Sequence, residues 1–238
     1  MGEDASRRRV ARRPGRARNT ATPLELVIFD CDGVLVDSEV ISNRVLAEAL
    51  SAEGLPTTLA EARRNYQGLL LDDIVRRAET RLGRALPAGW LDRYETDRAA
   101  AFRQALAPVS GAAAAIARIR AAGVATCVAS QGKLAKTQLS LELTGLRELF
   151  APSALFSAHC VARGKPAPDL FLHAASSMRA EPSRCAVVED TPSGIAAAVA
   201  AGMRALGYSA DGDEHLLRDA GAEIVRSLDE LPARLGIA

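Results

Sequence analysis

Six side chains in this sequence have types and spacing suited to chemistry on oxygen-rich ligands. Asp30 and Asp32 are separated by one residue, and Glu189 and Asp190 are adjacent. Ser130 and Lys165 lie between these two acidic pairs along the chain. Brought together, the four carboxylates would repel one another without a cation among them. The set is rich in oxygen and suits magnesium, a hard ion that keeps several waters and binds phosphate as well.

Taken singly, each residue has an ordinary structural explanation. Asp30 and Asp32 read as turn formers at a strand end, and Ser130 as a cap for a helix starting at Leu134. Lys165, before Pro166, reads as a loop charge, and Glu189 and Asp190 as caps for a helix starting near Ser193. The chemical reading depends on whether the fold brings all six to one place.

The elements around them argue that it does. Leu24–Asp30 (LELVIFD) is a short apolar, β-branched run of the kind a buried strand requires. Gly33 then permits a turn. From Glu39 to Leu106 the apolar residues recur at helical spacing, in Val40–Leu50, Leu71–Leu82 and Leu91–Phe102, with no strand pattern. From Pro108 onward, strands at Val124–Ala129, Ala154–Ser157, Cys185–Glu189, Arg204–Tyr208 and Glu223–Val225 alternate with helices at Ser110–Ala122, Leu134–Leu143, Pro168–Met178 and Ser193–Ala201. Repeated β-α units imply a parallel sheet covered by helices on both faces. The fold class is therefore α/β: a doubly wound, Rossmann-like core, residues 23–38 and 108–238, with a helical cap, residues 39–107, inserted after the first strand. In such sheets ligands bind beyond the carboxyl ends of the strands. Asp30 and Asp32 follow the first strand, Ser130 the second, Lys165 lies beyond the third, and Glu189 with Asp190 ends the fourth.

The 238 residues suffice for one such domain with an insert, and 48% hydrophobic residues supply a sizeable core. A net charge of +1 gives no support for a nucleic-acid partner. Residues 1–22 are the exception, with seven arginines against Glu3 and Asp4. Their low apolar content predicts a disordered tail, with a nucleic-acid or membrane-surface arm as the alternative. No apolar run reaches the ~18 residues of a membrane span, so a soluble, cytoplasmic monomer is expected. Cys31, Cys127, Cys160 and Cys185 form no C-x-x-C pair and are expected as buried free thiols.

Four stretches, FDCDGVLVDSE, VASQG, GKPAPDLF and VVEDTPSGIAAAVAAGM, carry a family resemblance. In type, order and spacing they resemble the four motifs of the haloacid dehalogenase superfamily, and within it the β-phosphoglucomutase-like subfamily that includes many sugar-phosphate phosphatases. The resemblance implies that Asp30 is a nucleophile forming an aspartyl phosphate, and that Asp32 is the general acid and base. It implies that Asp30, the Asp32 carbonyl, Glu189 and Asp190 hold Mg2+. Ser130, Lys165 and the backbone amides around Gly33 would bind the phosphoryl oxygens of a small phosphate ester.

The same resemblance separates the possible reactions. An acid at Asp32 is not the pattern of the dehalogenases. A cap lysine, needed for phosphonoacetaldehyde hydrolysis, is absent, because the lysines are Lys133, Lys136 and Lys165. A β-phosphoglucomutase is the alternative. Such mutases usually carry a histidine where this chain has Ser42, and an arginine after a cap glycine where it reads Gly68-Leu69-Leu70-Leu71. Those departures favour hydrolysis. A non-catalytic binding protein on the same fold is a third reading.

In the cap, the loop around Tyr66, Gly68 and Asp72-Asp73 is expected to face the site. Arg44, Arg63, Arg64, Arg76 and Arg77 are candidates to hold an anionic substrate group. Asp37 is expected to organise the hinge, Asp169 to cap a helix or support Lys165, and His159 to lie at the surface. Gln131 departs from the smaller residue usual in the family.

Overall fold

The computed structural model describes residues 23–210 and 214–237. The arginine-rich stretch, residues 1–22, lies outside them. The architecture grows from β1 (Leu26–Phe29), whose four residues are wholly buried. A strand with no polar side chain needs cover on both faces, and this one has it. Val27 and Phe29 point into one apolar core, Leu26 and Ile28 into another.

β1 pairs in parallel with β2 (Ala125–Ser130) on one side and β4 (Cys185–Glu189) on the other, with Phe29 in register with both Val128 and Val188. With β3 (Leu155–Ser157), β5 (Arg204–Tyr208) and β6 (Glu223–Val225), the six-stranded parallel sheet has the order β3-β2-β1-β4-β5-β6. The chain moves outward from β1 in one direction through β2 and β3, then in the other through β4, β5 and β6. β1 is thus the switch point of the topology, the place where a crevice opens at the carboxyl edge.

The first core is covered by α5 (Ala112–Ala121), α6 (Leu134–Leu143) and α10 (Leu231–Arg234), which contribute Ile116, Ile119, Leu141 and Leu231. The second is covered by α7 (Asp169–Ser177), α8 (Pro192–Ala200) and α9 (Glu214–Asp219), through Leu170, Phe171, Ile195 and Leu217.

Between β1 and β2 in the chain come α1 (Glu39–Ala52), α2 (Leu59–Tyr66), α3 (Leu71–Leu82) and α4 (Trp90–Ala105). They enclose an apolar cluster of their own, with Leu46, Leu50, Tyr66, Ile74, Trp90 and Tyr94 among its members. Trp90 and Tyr94, one turn apart on α4, stack with ring centroids at 5.7 Å. α2 starts with a signature that the apolar spacing did not show: Thr58 accepts from the Glu61 amide while the Glu61 carboxylate accepts from the Thr58 amide, a capping box.

The chain enters and leaves this helical block side by side. The Asp37 amide donates to the Ala107 carbonyl at 3.0 Å, and the Val109 amide to the Leu35 carbonyl at 2.9 Å. Val36 also bridges to Asp32, so the segment after β1 is a short ordered flap rather than a bare turn. The four cysteines are free thiols, but Cys160 is exposed, a correction to the expected burial of all four; it sits in a 3-10 turn outside the sheet. Among the described residues, no helix is long and apolar enough to cross a membrane.

Candidate active site

At the carboxyl edge of β1, β2 and β4, facing the helical block, lies a cleft of about 150 Å³. Asp30, Asp32, Ser130, Lys165, Glu189 and Asp190 all line it. Residues separated by up to 160 positions meet there because parallel strands end at one edge of the sheet.

Asp30 leaves β1 with only 6% of its surface exposed. Burial, opposed by Lys165 and assisted by Glu189 and Asp32, pushes its carboxyl up to about 7. The Lys165 ammonium is 2.5 Å from Asp30 Oδ1 and 2.6 Å from Glu189 Oε1, and also donates to the Ala129 carbonyl at 3.2 Å. Burial would favour the neutral amine, but the two carboxylates outweigh it and raise the Lys165 pKa. Glu189 is engaged on both oxygens, since its Oε2 accepts from the Thr191 amide and hydroxyl, each at 2.8 Å. The Thr191 hydroxyl in turn accepts from the Gly194 amide and caps α8.

Asp32 is held from two directions. Ser38 Oγ and Lys136 Nζ, from α6, both donate to its Oδ1. Burial raises its carboxyl, but Lys136 and Ser38 outweigh that effect and the net shift is downward. Asp190 has no such support. Its Oδ1 is buried without a hydrogen-bond partner. Burial first, then Glu189, Glu39 and Asp30, raises its pKa well above the usual carboxylate range.

Among the described residues, no three His, Cys, Asp or Glu side chains are gathered as a ready-made metal set. The donor chemistry nevertheless fits a hard cation on one side of the cleft. The unpartnered Asp190 oxygen and the buried Asp30 carboxylate supply anionic oxygens there. Glu189 fits that part less well than expected, because Lys165 and Thr191 already take both of its oxygens.

The remaining expectations divide. Ser130, 1% exposed, accepts from the Gly132 amide at 3.2 Å and does not cap α6, whose N-cap residue is Lys133 with no side-chain cap bond. The Gly33 amide donates to the Val36 carbonyl at 2.9 Å and is not directed at the cleft. Gly33 matters instead for its φ of +77° and for the Asp190 carboxylate packed against it, where a Cβ would overlap. Asp169 accepts from Arg163 at 2.8 Å and does not support Lys165. That support comes from Gln131, whose Oε1 accepts from the Lys165 amide at 3.1 Å. The departure at Gln131 therefore orders the Lys165 loop.

From the helical block, Tyr66 and Gly68 line the cleft as expected, and Asp72 and Asp73 do not. None of Arg44, Arg63, Arg64, Arg76 and Arg77 lines it. The basic groups that do, besides Lys165, are Arg98, Lys133 and Lys136. Ser38, Lys136 and Arg98 were all missed. The i, i+4 column Trp90-Tyr94-Arg98-Phe102 was the available signal for Arg98, because it places the guanidinium on the same helix face as three buried rings. His159 is exposed, at the rim of the cleft.

A parallel α/β core with a buried, lysine-bridged carboxylate pair at its switch point is the setting of the site, and relatives named as phosphatases identify the class as hydrolases of phosphoric monoesters. The chain belongs to the haloacid dehalogenase-like hydrolases, whose family model matches residues 24–202. It is similar to the 6-phosphogluconate phosphatase of Escherichia coli (strain K12), 32% identical over 189 residues, 79% of this chain and 84% of that protein. Hexitol phosphatase A of the same organism is 28% identical over 86% of this chain and 91% of its own length. A solved haloacid dehalogenase-like protein of unknown function from Agrobacterium tumefaciens superposes with a TM-score of 0.75 at 33% identity, covering 90% of this chain and 98% of that one. A family hydrolase from Deinococcus radiodurans R1, solved with bound phosphate and sodium, gives 0.72 at 34% identity over 90% and 96%.

Proposed function

We propose that this enzyme is a magnesium-dependent phosphatase of small phosphorylated sugars or their acid and polyol relatives, acting through a phosphorylated Asp30. The observation that carries the reading is Asp30 itself, a buried carboxylate at the switch point with Lys165 against one oxygen and Asp32 in the same cleft. The named activities of the relatives, on 6-phosphogluconate and on hexitol phosphates, support the substrate class.

In this reading Asp30 attacks phosphorus in its ionised form and Asp32 passes a proton to the departing oxygen, a role that requires Asp32 to be released from Lys136 and Ser38, which hold its carboxyl ionised in this structure. Asp32 then takes a proton from the water that hydrolyses the phosphorylated Asp30. Lys165 and Ser130 hold the phosphoryl oxygens, and Glu189 positions Lys165. Lys136 and Ser38 fix the orientation of Asp32. Magnesium, held by Asp30, Asp190 and the Asp32 carbonyl, would supply charge neutralisation for the phosphoryl group. The helical block acts as a cap that excludes bulk water. Ser42, and the apolar stretch Leu69-Leu70-Leu71, line the cleft where a mutase would carry a histidine and an arginine, which supports hydrolysis over intramolecular transfer.

The test is phosphate release from a panel of metabolite phosphates, with magnesium and with EDTA, for wild type and Asp30→Asn. Release that needs magnesium and is lost in the variant is expected. Conversion of β-glucose 1-phosphate to glucose 6-phosphate without release would replace this reading with the mutase, and no turnover at all would replace it with a binding protein.

A further inference from the structure

Four cationic side chains line the cleft, and three of them have a carboxylate at bonding distance. Lys165 holds Asp30 and Glu189, Lys136 holds Asp32, and Lys133 is 2.7 Å from Glu95. Arg98 differs. Its nearest carboxylate, Glu95 again, is 3.7 Å away and already bonded to Lys133. Yet its side chain is only 12% exposed, so the charge is not solvated as a surface arginine would be. The guanidinium lies 5.1 Å from the centre of the Tyr94 ring. Tyr94 is in turn stacked on Trp90. A planar group with five donors therefore lies on the wall of the site against an aromatic ring, with most of its donors unmatched by carboxylate.

We propose that Arg98 selects substrates carrying a single carboxylate at the end of the carbon chain remote from the phosphoryl group. The guanidinium fork matches a carboxylate in two parallel hydrogen bonds, and a polyol or aldehyde terminus offers no such match. One unmatched cation suits one added negative charge. Glu39 is the carboxylate of the helical block that lines the cleft, but it accepts from Gln67 and its carboxyl is raised by burial, which weakens its repulsion of an anion. Glu95 is shared between Arg98 and Lys133, so it links the specificity group on α4 to the start of α6 in the core. The inference rests on the phosphatase reading above.

The test compares gluconate 6-phosphate with glucitol 6-phosphate, which share a six-carbon chain and a terminal phosphate and differ at carbon 1. The wild type should favour the acid in kcat/KM. In Arg98→Gln the acid-to-polyol ratio should fall by roughly 10- to 100-fold, the worth of a charge-assisted pair, and Arg98→Lys should retain part of the preference. Inhibition of wild-type p-nitrophenyl phosphate hydrolysis by gluconate, but not by glucitol, reads the same contact without any variant. Release from both esters with the ratio unchanged in Arg98→Gln, or equal inhibition by gluconate and glucitol, overturns the proposal and leaves the phosphatase standing. Release from no ester of the panel overturns both.

Discussion

Replacing Gly194 by alanine adds one methyl group within α8, and on helix propensity alone it would stabilise the protein by about 1 kcal/mol. The structure reverses that sign. An ideal Cβ on Gly194 would lie under 3.0 Å from the carboxylate carbon and both oxygens of Glu189, closer than real Cβ atoms come. Glu189 is 1% exposed and cannot swing to solvent without releasing Lys165 at 2.6 Å and Thr191 at 2.8 Å. Overpacking of this kind costs about 1 to 3 kcal/mol, and disrupting a buried ion pair adds up to about 3 to 5 kcal/mol when it is complete. With partial relaxation and the propensity gain subtracted, Gly194→Ala should lose about 2 to 4 kcal/mol, a drop in Tm of roughly 4 to 16 °C for a chain of this size. Urea unfolding followed by circular dichroism measures the first quantity, and a thermal melt the second. Phosphate release should fall as well, because Lys165 loses the carboxylate that positions it. A Gly194→Ala protein as stable as wild type, or more so, would refute the packing argument and the positioning role given to Glu189.

Two further outcomes follow from burial and charge. Asp30 is raised by burial from its ordinary value to about 7, so its contribution to stability is complete below its unfolded value near 4 and is lost as pH rises through 7. In EDTA, Asp30→Asn should therefore gain in Tm relative to wild type between pH 5 and pH 8, and a difference that shrinks with rising pH would contradict the assignment. Cys160 is exposed, whereas Cys31, Cys127 and Cys185 are buried, and burial raises the pKa of all three buried thiols. One thiol should react with a disulfide reagent in the native protein and four after unfolding; two or more fast native thiols would overturn that burial pattern.

The sheet was legible because its strands are covered on both faces. LVIF and CAVV are short apolar runs that end abruptly at Asp30 and Glu189, and the same polar residues are the ones that a parallel sheet gathers at its carboxyl edge. What the sequence did not show is tertiary. Lys136 reaches Asp32 across 104 positions, and nothing local marks the second lysine of Lys133 and Lys136 as the one that turns inward. The arginines of the helical block were misjudged for the same reason. A charge on an amphipathic helix is usually solvated, and Arg98 departs from that because it shares a helix face with the buried rings of Trp90, Tyr94 and Phe102, whereas Arg76 and Arg77 lie outside the cleft. The Gly33 amide was misjudged because Val36 bonds back to it, a local pairing that a glycine-turn reading does not anticipate.

The paired segments at the base of the helical block bear on how such a chain can change over time. Asp37 with Ala107, and Leu35 with Val109, fix the two ends of the excursion next to each other whatever lies between them. For a flexible connection, doubling the length then costs only about 0.6 kcal/mol of closure entropy. Segments such as the one between α3 and α4 can accept insertions or deletions without moving Asp30 or Lys165, since no strand of the sheet depends on their length. The length of such a segment can therefore vary while the residues at the carboxyl edge of the sheet keep their places.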